Sequence, residues 1–569
     1  MTLEASDGSP RGEMESPLKV EFASDVSWDR ETQILVVGFG GAGACAAIEA
    51  HDAGANVLVI DRFDGGGATA YSGGIHYAGG TRFQHDAGYS DTSEEMYKYL
   101  SLEVGDAVSD RTLRKFCDDS VANIEWLERQ GVQFGGGVHT GKTVYPPDGK
   151  FLYFSGNEMV PEYKAKAYAA PRGHRVIGKG YTGHIYYAAM RQAVERRSLP
   201  VMTHTRAVRL IVDGSDRVIG VEALVLPEFA HARHRALYKD ATPTPFTFEK
   251  AERSIRRCRD LEVEKGRRIR IRATSGVILT TGGFEFSMPM LKKHTTRFAA
   301  FAPAMLRMGA MGSDGSGIQL GQSVGGRVGK LGNVFYGRII SPPTAFVEGI
   351  LVNKLGRRFV NEDAYVAVVG NAISEQPEGQ AWILMDAPTV RKLRKQLMPH
   401  GDGQFLQWSL PALANVLFGG TKRGGSLKIL AKRCGIDASG LESQVQETRT
   451  TAAQGLPDPI GKSPNYFRPV EDGPYCAVNV SVMNKLAMAP FVTLGGLAVD
   501  EDTGEVLDGQ GRAIGGLYAA GRAAIGICGN RYMSGMSLAD CVFSGRRAAV
   551  HCSKSGEKSA PQIGLARHA

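Results

Sequence analysis

Four residues near the N-terminus have the types and spacing to hold a phosphorylated cofactor. Three are Gly38, Gly40 and Gly43, within Gly38-Phe39-Gly40-Gly41-Ala42-Gly43, and the fourth is Asp61. The first glycine permits a tight turn, and the second lets backbone approach a pyrophosphate. The third lets a helix pack close on a strand. An acid roughly 20 residues past the glycines accepts hydrogen bonds from adenosine ribose hydroxyls. This chemistry needs particular elements around it, and the neighbouring residues supply them. Ile34-Leu35-Val36-Val37 is a short β-branched apolar run that reads as a buried parallel strand. A small-residue helix is expected over Ala44 to Ala53, and a second strand, Asn56 to Ile60, ends on Asp61. The helix N-terminus then offers N–H groups and a partial positive charge to phosphates. The whole predicts a dinucleotide-binding βαβ unit.

After Asp61 comes a glycine- and hydroxyl-rich loop, Arg62-Phe63-Asp64-Gly65-Gly66-Gly67-Ala68-Thr69-Ala70-Tyr71-Ser72-Gly73-Gly74-Ile75. A nicotinamide fold does not need it. A flavin dinucleotide does, because backbone must reach around the ribityl chain and ring. FAD is therefore preferred over NAD.

Composition narrows the class. The 569 residues suffice for several domains, and the apolar (43%) and charged (22%) fractions are those of a globular protein. The 72 glycines are not periodic, which excludes collagen. A net charge of +8 without a concentrated basic stripe or recognisable module argues against nucleic-acid binding. The eight cysteines are scattered, with no CxxC pair, so they read as reduced thiols of a cytoplasmic protein and not as metal ligands. No apolar run approaches ~18 residues, so no integral membrane segment is expected.

Residues 1–28 are rich in Ser, Asp, Glu, Gly and Pro and read as a disordered leader. Helices are expected over 92–135. The segment 139–185 reads as loop and short strand, with Arg172, His174 and Arg175 in ordinary surface roles. A hairpin at Asp213-Gly214 joins Leu210-Ile211-Val212 to Val218-Ile219-Gly220-Val221. Residues 227–268, with two prolines near the middle and a basic helix around Lys250 to Lys265, read as a surface insertion. Strand patterning resumes at Ile269 and leads into Val277 to Phe284. Residues ~330–480 have a different texture and are taken as a cap. The polar tail after Cys552 is expected to be mobile.

Several motifs in this order resemble one superfamily, the fumarate reductase-like flavoproteins that include the 3-ketosteroid dehydrogenases. They are Gly38–Gly43 with Asp61; Thr69-Ala70-Tyr71-Ser72-Gly73-Gly74; Val277 to Phe284; Gly356-Arg357-Arg358-Phe359-Val360-Asn361-Glu362; Thr493 to Leu497; and Gly516 to Gly521. The resemblance implies an α/β fold: a Rossmann-like FAD-binding domain built from both chain ends, with an inserted α+β catalytic cap. The implied division is 29–328 and 485–553 for FAD, 329–484 for the cap, and a tail over 554–569. Fumarate reductases carry an arginine acid four residues after the Glu of the RFxxE segment; here that position is Val366. The flavin-linking histidine of membrane-bound relatives is missing from Ala68–Gly74, implying noncovalent FAD.

The C-terminal stretch Asn530-Arg531-Tyr532-Met533-Ser534-Gly535-Met536-Ser537-Leu538-Ala539-Asp540 is most similar to the 3-ketosteroid Δ4-(5α)-dehydrogenases, where a Tyr-x-Ser pair opens the last flavin-facing helix. The resemblance makes Tyr532 and Ser534 catalytic, and assigns the family's third residue, a cap-domain tyrosine, to Tyr336. It implies FAD contacts at Gly38, Gly40, Gly41, Ala42, Gly43 and Asp61; at Arg62, Gly67, Ala68, Thr69, Ser72, Gly73 and Gly74; at Thr281 and Gly282; and at Gly521, Arg522, Ser537 and Leu538. Arg522 stands where relatives commonly show Gly-Glu. The implied reaction is desaturation of steroid ring A beside the 3-ketone. The 5α-hydrogen leaves as hydride to the flavin, a C4 proton leaves through a Tyr/Ser relay, and a separate electron acceptor completes the cycle. The alternatives are Δ1-desaturation, or reduction of an unsaturated acid such as fumarate or urocanate. A flavin-binding protein without activity is the third possibility.

Overall fold

The structure, a computed structural model, describes residues 14–241, 246–399 and 405–557. Its centre is the strand Arg267–Leu279, which does two jobs. Its first half pairs antiparallel with Val218–Val225, continuing the predicted hairpin with Thr205–Val212. From Ile271 onward it runs parallel to Arg30–Val37 on its other edge, and at its end Val277–Leu279 pairs parallel with Leu517–Ala519. The register against Arg30–Val37 shifts between Ala273 and Gly276. Arg30–Val37 in turn pairs parallel with Val57–Ile60. The sheet has nine strands among the described residues, and its C-terminal strand comes from more than 200 residues downstream in the chain.

Ile34, Leu35 and Val36 are fully buried: Ile34 and Val36 pack against the small-residue helix Gly41–Asp52 and the last helix, and Leu35 packs in a core with Leu210, Val221 and Leu320. Each such side chain contributes roughly 1.5–3 kcal/mol through burial. The helix Gly41–Asp52 packs against the long C-terminal helix Met536–Glu557 through small residues. A Cβ on Gly545 would stand 2.7 Å from the Ala42 carbonyl, so this crossing requires glycine. The two chain ends thus build one layer. A second core, including Leu351, Ile383 and Val478, belongs to the antiparallel sheet Ile350–Val352, Trp382–Met385, Tyr475–Asn479 and Lys422–Gly424. This α/β arrangement of a doubly covered sheet plus a capping sheet is the expected fold class.

Four expectations need correction. The leader is ordered over its described part: Leu18–Lys19 pairs with Ile211 and Val212 of the central sheet, and Val26 packs on Ile211 and Ile219. Residues 1–13 of that call lie outside the described residues. The insertion 227–268 is not a mere surface excursion. Helices Glu228–Asp240 and Phe248–Lys265 bury Ala230, Leu237, Ala251 and Cys258 against Phe63 and Phe286. The two prolines near its middle, Pro243 and Pro245, lie outside the described residues. Arg172, His174 and Arg175 are fully buried, because Gly173–Arg175 is an interior strand between Ile75–Tyr77 and Leu152–Tyr153. The tail expected to be mobile from 554 is helical at its start, since the last helix runs through Glu557; residues 558–569 of that call lie outside the described residues.

Candidate active site

One elongated cavity runs from the glycine turn to the start of the last helix. At its first end the turn begins on Gly38, whose φ of +107° belongs to the left-handed region. Gly43 is buried against this turn, where a Cβ would stand 1.9 Å from the Gly38 carbonyl. Thr280 closes the turn from the neighbouring strand, its hydroxyl donating to the Gly38 carbonyl at 2.8 Å. Asp61 lines the cavity, and its carboxylate already accepts the Phe39 N–H (2.6 Å) and the Phe63 N–H (2.7 Å). Burial raises its pKa, partly offset by these backbone donors.

Arg62 enters the wall as a locked group. Its guanidinium is bidentate on Glu262 (2.6 and 2.9 Å) and also reaches Asp314 (2.8 Å). Burial alone would raise Glu262, but Arg62, His234 and Arg206 hold it well below the usual carboxylate range. His234, Cys258 and Glu262 bring ligand-type atoms together. The same glutamate oxygens serve two arginines, so a further cation would meet their repulsion. Glu262 and His234 come from the insertion, as does Tyr238, which faces the cavity.

At the other end the wall carries hydroxyls. Ser534 lines it, and Tyr153, fully buried behind the wall, donates its hydroxyl to Ser534 Oγ at 2.8 Å, a pair across which the proton order can reverse. Tyr532 and Tyr365 line the same end, with Phe335 set edge-on to Tyr532 at 5.0 Å between ring centroids. Burial raises the pKa of Tyr532, Tyr365 and Tyr153, so all three are neutral hydrogen-bond donors near pH 7. Apolar groups, including Ile339, Trp408, Met488 and Val366, complete this end. Arg522 also lines the cavity, but its guanidinium is held at 2.8 Å by the buried Glu285. Burial lowers and Glu285 raises its pKa, with a net rise, so Arg522 stays charged.

The predicted residues sort clearly. Gly38, Gly40, Gly41, Ala42, Asp61, Arg62, Gly67, Ala68, Thr69, Ser72, Gly73, Thr281, Gly282, Gly521, Arg522, Ser537 and Leu538 line the cavity, as do Tyr532 and Ser534. Gly43 and Gly74 stand behind the wall, where each lets two segments meet: a Cβ on Gly74 would lie 2.6 Å from the Thr182 backbone. Tyr336 does not reach the cavity. In the strand Val334–Tyr336 successive side chains alternate, so Phe335 faces the cavity and Tyr336 the cap core. There Tyr336 packs on Phe298 and its hydroxyl accepts from Arg338 at 2.8 Å. The tyrosines that the geometry offers beside Ser534 are Tyr365, on the cavity wall, and Tyr153, behind it.

Residues 33–538 match a protein family described as the FAD binding domain. The chain belongs to this FAD-binding family. Across 519 residues the flavoprotein is 38% identical to a 3-oxo-5-alpha-steroid 4-dehydrogenase of Comamonas testosteroni, covering 90% of this chain and 96% of that protein. It also resembles the crystal structure of 3-ketosteroid-Δ4-(5α)-dehydrogenase from Rhodococcus jostii RHA1 in complex with 4-androstene-3,17-dione, with a TM-score of 0.78 and 27% identity. That match covers 95% of this chain and 100% of the other. A fumarate reductase (cytochrome) of Shewanella frigidimarina is 26% identical over 549 residues, covering 92% of this chain and 78% of that one.

The cavity of the flavoprotein suits its cofactor. Where Cβ atoms on Gly40 and Gly67 would stand, no atom lies closer than 3.8 and 3.7 Å respectively, so the two glycines leave a groove open along the turn. The N-terminus of Gly41–Asp52 borders the groove at one end, and Ser537 and Leu538, in the first turn of the last helix, border it at the other.

Behind the tyrosines sits Glu158, which accepts the Tyr77 hydroxyl at 3.2 Å and the Gly156 N–H at 2.8 Å. Burial pushes its pKa from 4.5 up to about 7, against the lowering effect of Arg172. A raised pKa means that the folded state holds a proton the unfolded chain has lost. The stabilisation is full below the unfolded value and fades as pH rises through about 7. Urea unfolding is therefore expected to show native stability falling by about 3 kcal/mol from this group between roughly pH 4.5 and 8. Glu158→Gln is expected to lack that component; an unchanged slope would show that Glu158 is not the group responsible.

Proposed function

We propose that this flavoprotein is a 3-ketosteroid Δ4-(5α)-dehydrogenase: it desaturates ring A of a saturated 3-ketosteroid, holding its FAD noncovalently. The observation that carries the reading is the Tyr153–Ser534 hydroxyl pair, set at the start of the last helix beside Tyr532 and Tyr365. Both the Comamonas protein and the Rhodococcus protein carry names for this chemistry.

The reaction asks for an α-proton acceptor on one side of the substrate and a hydride acceptor on the other. FAD, when bound, supplies the hydride acceptor. Ser534 alone is too weak a base, and a neutral tyrosine is not one. A relay solves this: Ser534 Oγ takes the C4 proton as its own proton moves to Tyr153 Oη across the 2.8 Å bond, and the phenolic proton of Tyr153 is released to solvent water. Tyr532 and Tyr365, as neutral donors, stabilise the negative charge that develops on the 3-keto oxygen. The apolar wall of Ile339, Trp408 and Met488 suits a hydrophobic ring system. Asp61 keeps lone pairs for ribose hydroxyls beyond those used by Phe39 and Phe63. At the position of the fumarate reductases' arginine acid stands Val366, which faces the cavity. Arg522, a guanidinium near Tyr532, is held by Glu285. The acid-reductase reading thus lacks its proton donor. The eight cysteines are free thiols, as suits a cytoplasmic enzyme, and a separate acceptor takes the electrons from the reduced flavin.

Anaerobic addition of a 5α-3-ketosteroid to the holoenzyme is expected to bleach the flavin absorbance and yield the 4-ene, with the double bond placed by NMR. Bleaching only by 4-ene-3-ketones, with a 1,4-diene product, would replace this reading by Δ1-desaturation.

A further inference from the structure

Residues Phe405–Phe418 form a π-helical turn, Phe405–Ser409, running into the helix Leu410–Phe418. The sequence here is Phe-Leu-Gln-Trp-Ser-Leu-Pro-Ala-Leu-Ala-Asn-Val-Leu-Phe, without a single charge. Of these residues only Trp408 and Asn415 are buried. Leu406, Leu417 and Phe418 are 73%, 60% and 78% exposed. Ala412, Leu413 and Val416 pack on the cap core, and the exposed apolar face of this uncharged segment has no partner among the described residues.

The surroundings say what kind of partner fits. Arg391, Lys392, Arg394 and Lys395 stand on the preceding helix Ala387–Gln396, whose end is tied to the segment by Ser409 Oγ donating to the Gln396 carbonyl at 3.3 Å. Lys422 and Arg423 follow in the strand Lys422–Gly424, and Lys428, Lys432 and Arg433 on the helix Leu427–Cys434. All nine cations are exposed. Between Ala387 and Ile436 the chain has a single acid, Asp402, which lies outside the described residues, so this stretch carries as much net positive charge as the whole chain, +8. An exposed apolar segment flanked along the chain by cations matches an anionic lipid surface: the side chains enter the acyl boundary and the cations meet headgroup phosphates. A second copy docking face to face would set the same cations against each other.

The same segment borders the cavity. Trp408 is one of its walls, and the part-exposed Tyr181 lies edge-on to Trp408, with ring centroids 6.3 Å apart. We propose that Phe405–Phe418 and its flanking cations dock the enzyme on an anionic membrane surface, so that the apolar substrate reaches the Trp408 end of the cavity from the lipid. The route of the substrate rests on the steroid reading; the docking does not.

Sedimentation of the holoenzyme with vesicles tests docking without any turnover. We expect binding to phosphatidylcholine vesicles containing phosphatidylglycerol to exceed that to phosphatidylcholine alone by about tenfold or more, and to weaken at high salt. Leu417→Asp/Phe418→Asp and Arg394→Glu/Lys422→Glu should each abolish it with flavin content intact. With steroid carried in vesicles both variants should turn over more slowly, whereas with cyclodextrin-carried steroid they should match the native enzyme. Equal or absent binding to both vesicle types would overturn the proposal. So would a change of oligomeric state in the apolar variant, since this face would then be an interface between copies. Inactivity with every steroid, with vesicle binding retained, would remove the functional reading and leave the docking.

Discussion

Ser534→Ala is expected to lower turnover of a 5α-3-ketosteroid by about 10²–10⁴-fold, the range of a lost general base, with FAD still bound. Its hydroxyl is the one that Tyr153 reaches at 2.8 Å, and deleting it leaves the relay without its first member. Tyr153→Phe should lose much of the same factor, because Ser534 then has no group to which its proton can move. Tyr532→Phe should also be slow, through loss of a donor to the developing oxyanion. Tyr336→Phe is the contrasting case. Its hydroxyl serves Arg338 in the cap core, so the expected change is in thermal stability and not in turnover. Stopped-flow measurement of flavin reduction in the four variants decides the matter. Fast reduction in both Ser534→Ala and Tyr153→Phe, or a collapse confined to Tyr336→Phe, would remove the assignment of the relay.

The second large effect is expected at the glycine turn. A methyl group on Gly43 would stand 1.9 Å from the Gly38 carbonyl, a contact that backbone cannot yield without moving the helix Gly41–Asp52. Gly43→Ala is therefore expected to destabilise the fold by about 1–3 kcal/mol or more. It also costs the stabilisation that bound FAD provides, about 4 kcal/mol when the free cofactor stands a thousandfold above its dissociation constant. Purified Gly43→Ala should be colourless and melt well below the native protein. Gly40→Ala separates the two contributions. Its added methyl projects into open groove, 3.8 Å from the nearest atom. The apoprotein should thus melt like native apoprotein yet fail to retain FAD. Yellow protein from both variants would show that the groove does not hold the cofactor's phosphates.

Much of the cofactor end was legible from local pattern. Gly38, Gly40, Gly43 and Asp61 declare themselves because a turn, a helix start and a strand end are short-range structures, encoded by residues next to one another. Ile34–Val37 was recognisable as a strand for the same reason: its full burial shows as an unbroken apolar run. The insertion misled, because the charges of Phe248–Lys265 suggested a solvated helix. Three of its groups, Glu262, His234 and Cys258, turn inward toward Arg62, a residue about 200 positions away in the chain. Arg172, His174 and Arg175 misled similarly. A buried cation is stable only beside a partner such as Asp91, which takes Arg172 at 2.7 Å, and that pairing is long-range.

The chain's own order of residues determined the βαβ unit, the choice of a flavin, the Tyr-x-Ser pair at the last helix, and the absence of an arginine at Val366, since each is a statement about neighbours. Which tyrosines join Ser534 was decided by tertiary structure alone. Tyr365 stands directly before Val366, and Tyr153 in a loop-like run of glycine and proline, and neither has a local mark. Strand alternation turns Phe335 inward and Tyr336 away, while the sheet holding Leu152–Tyr153 brings Tyr153 to a residue 381 positions later. Proximity of that kind depends on how distant segments pack, and it is settled only when the core closes.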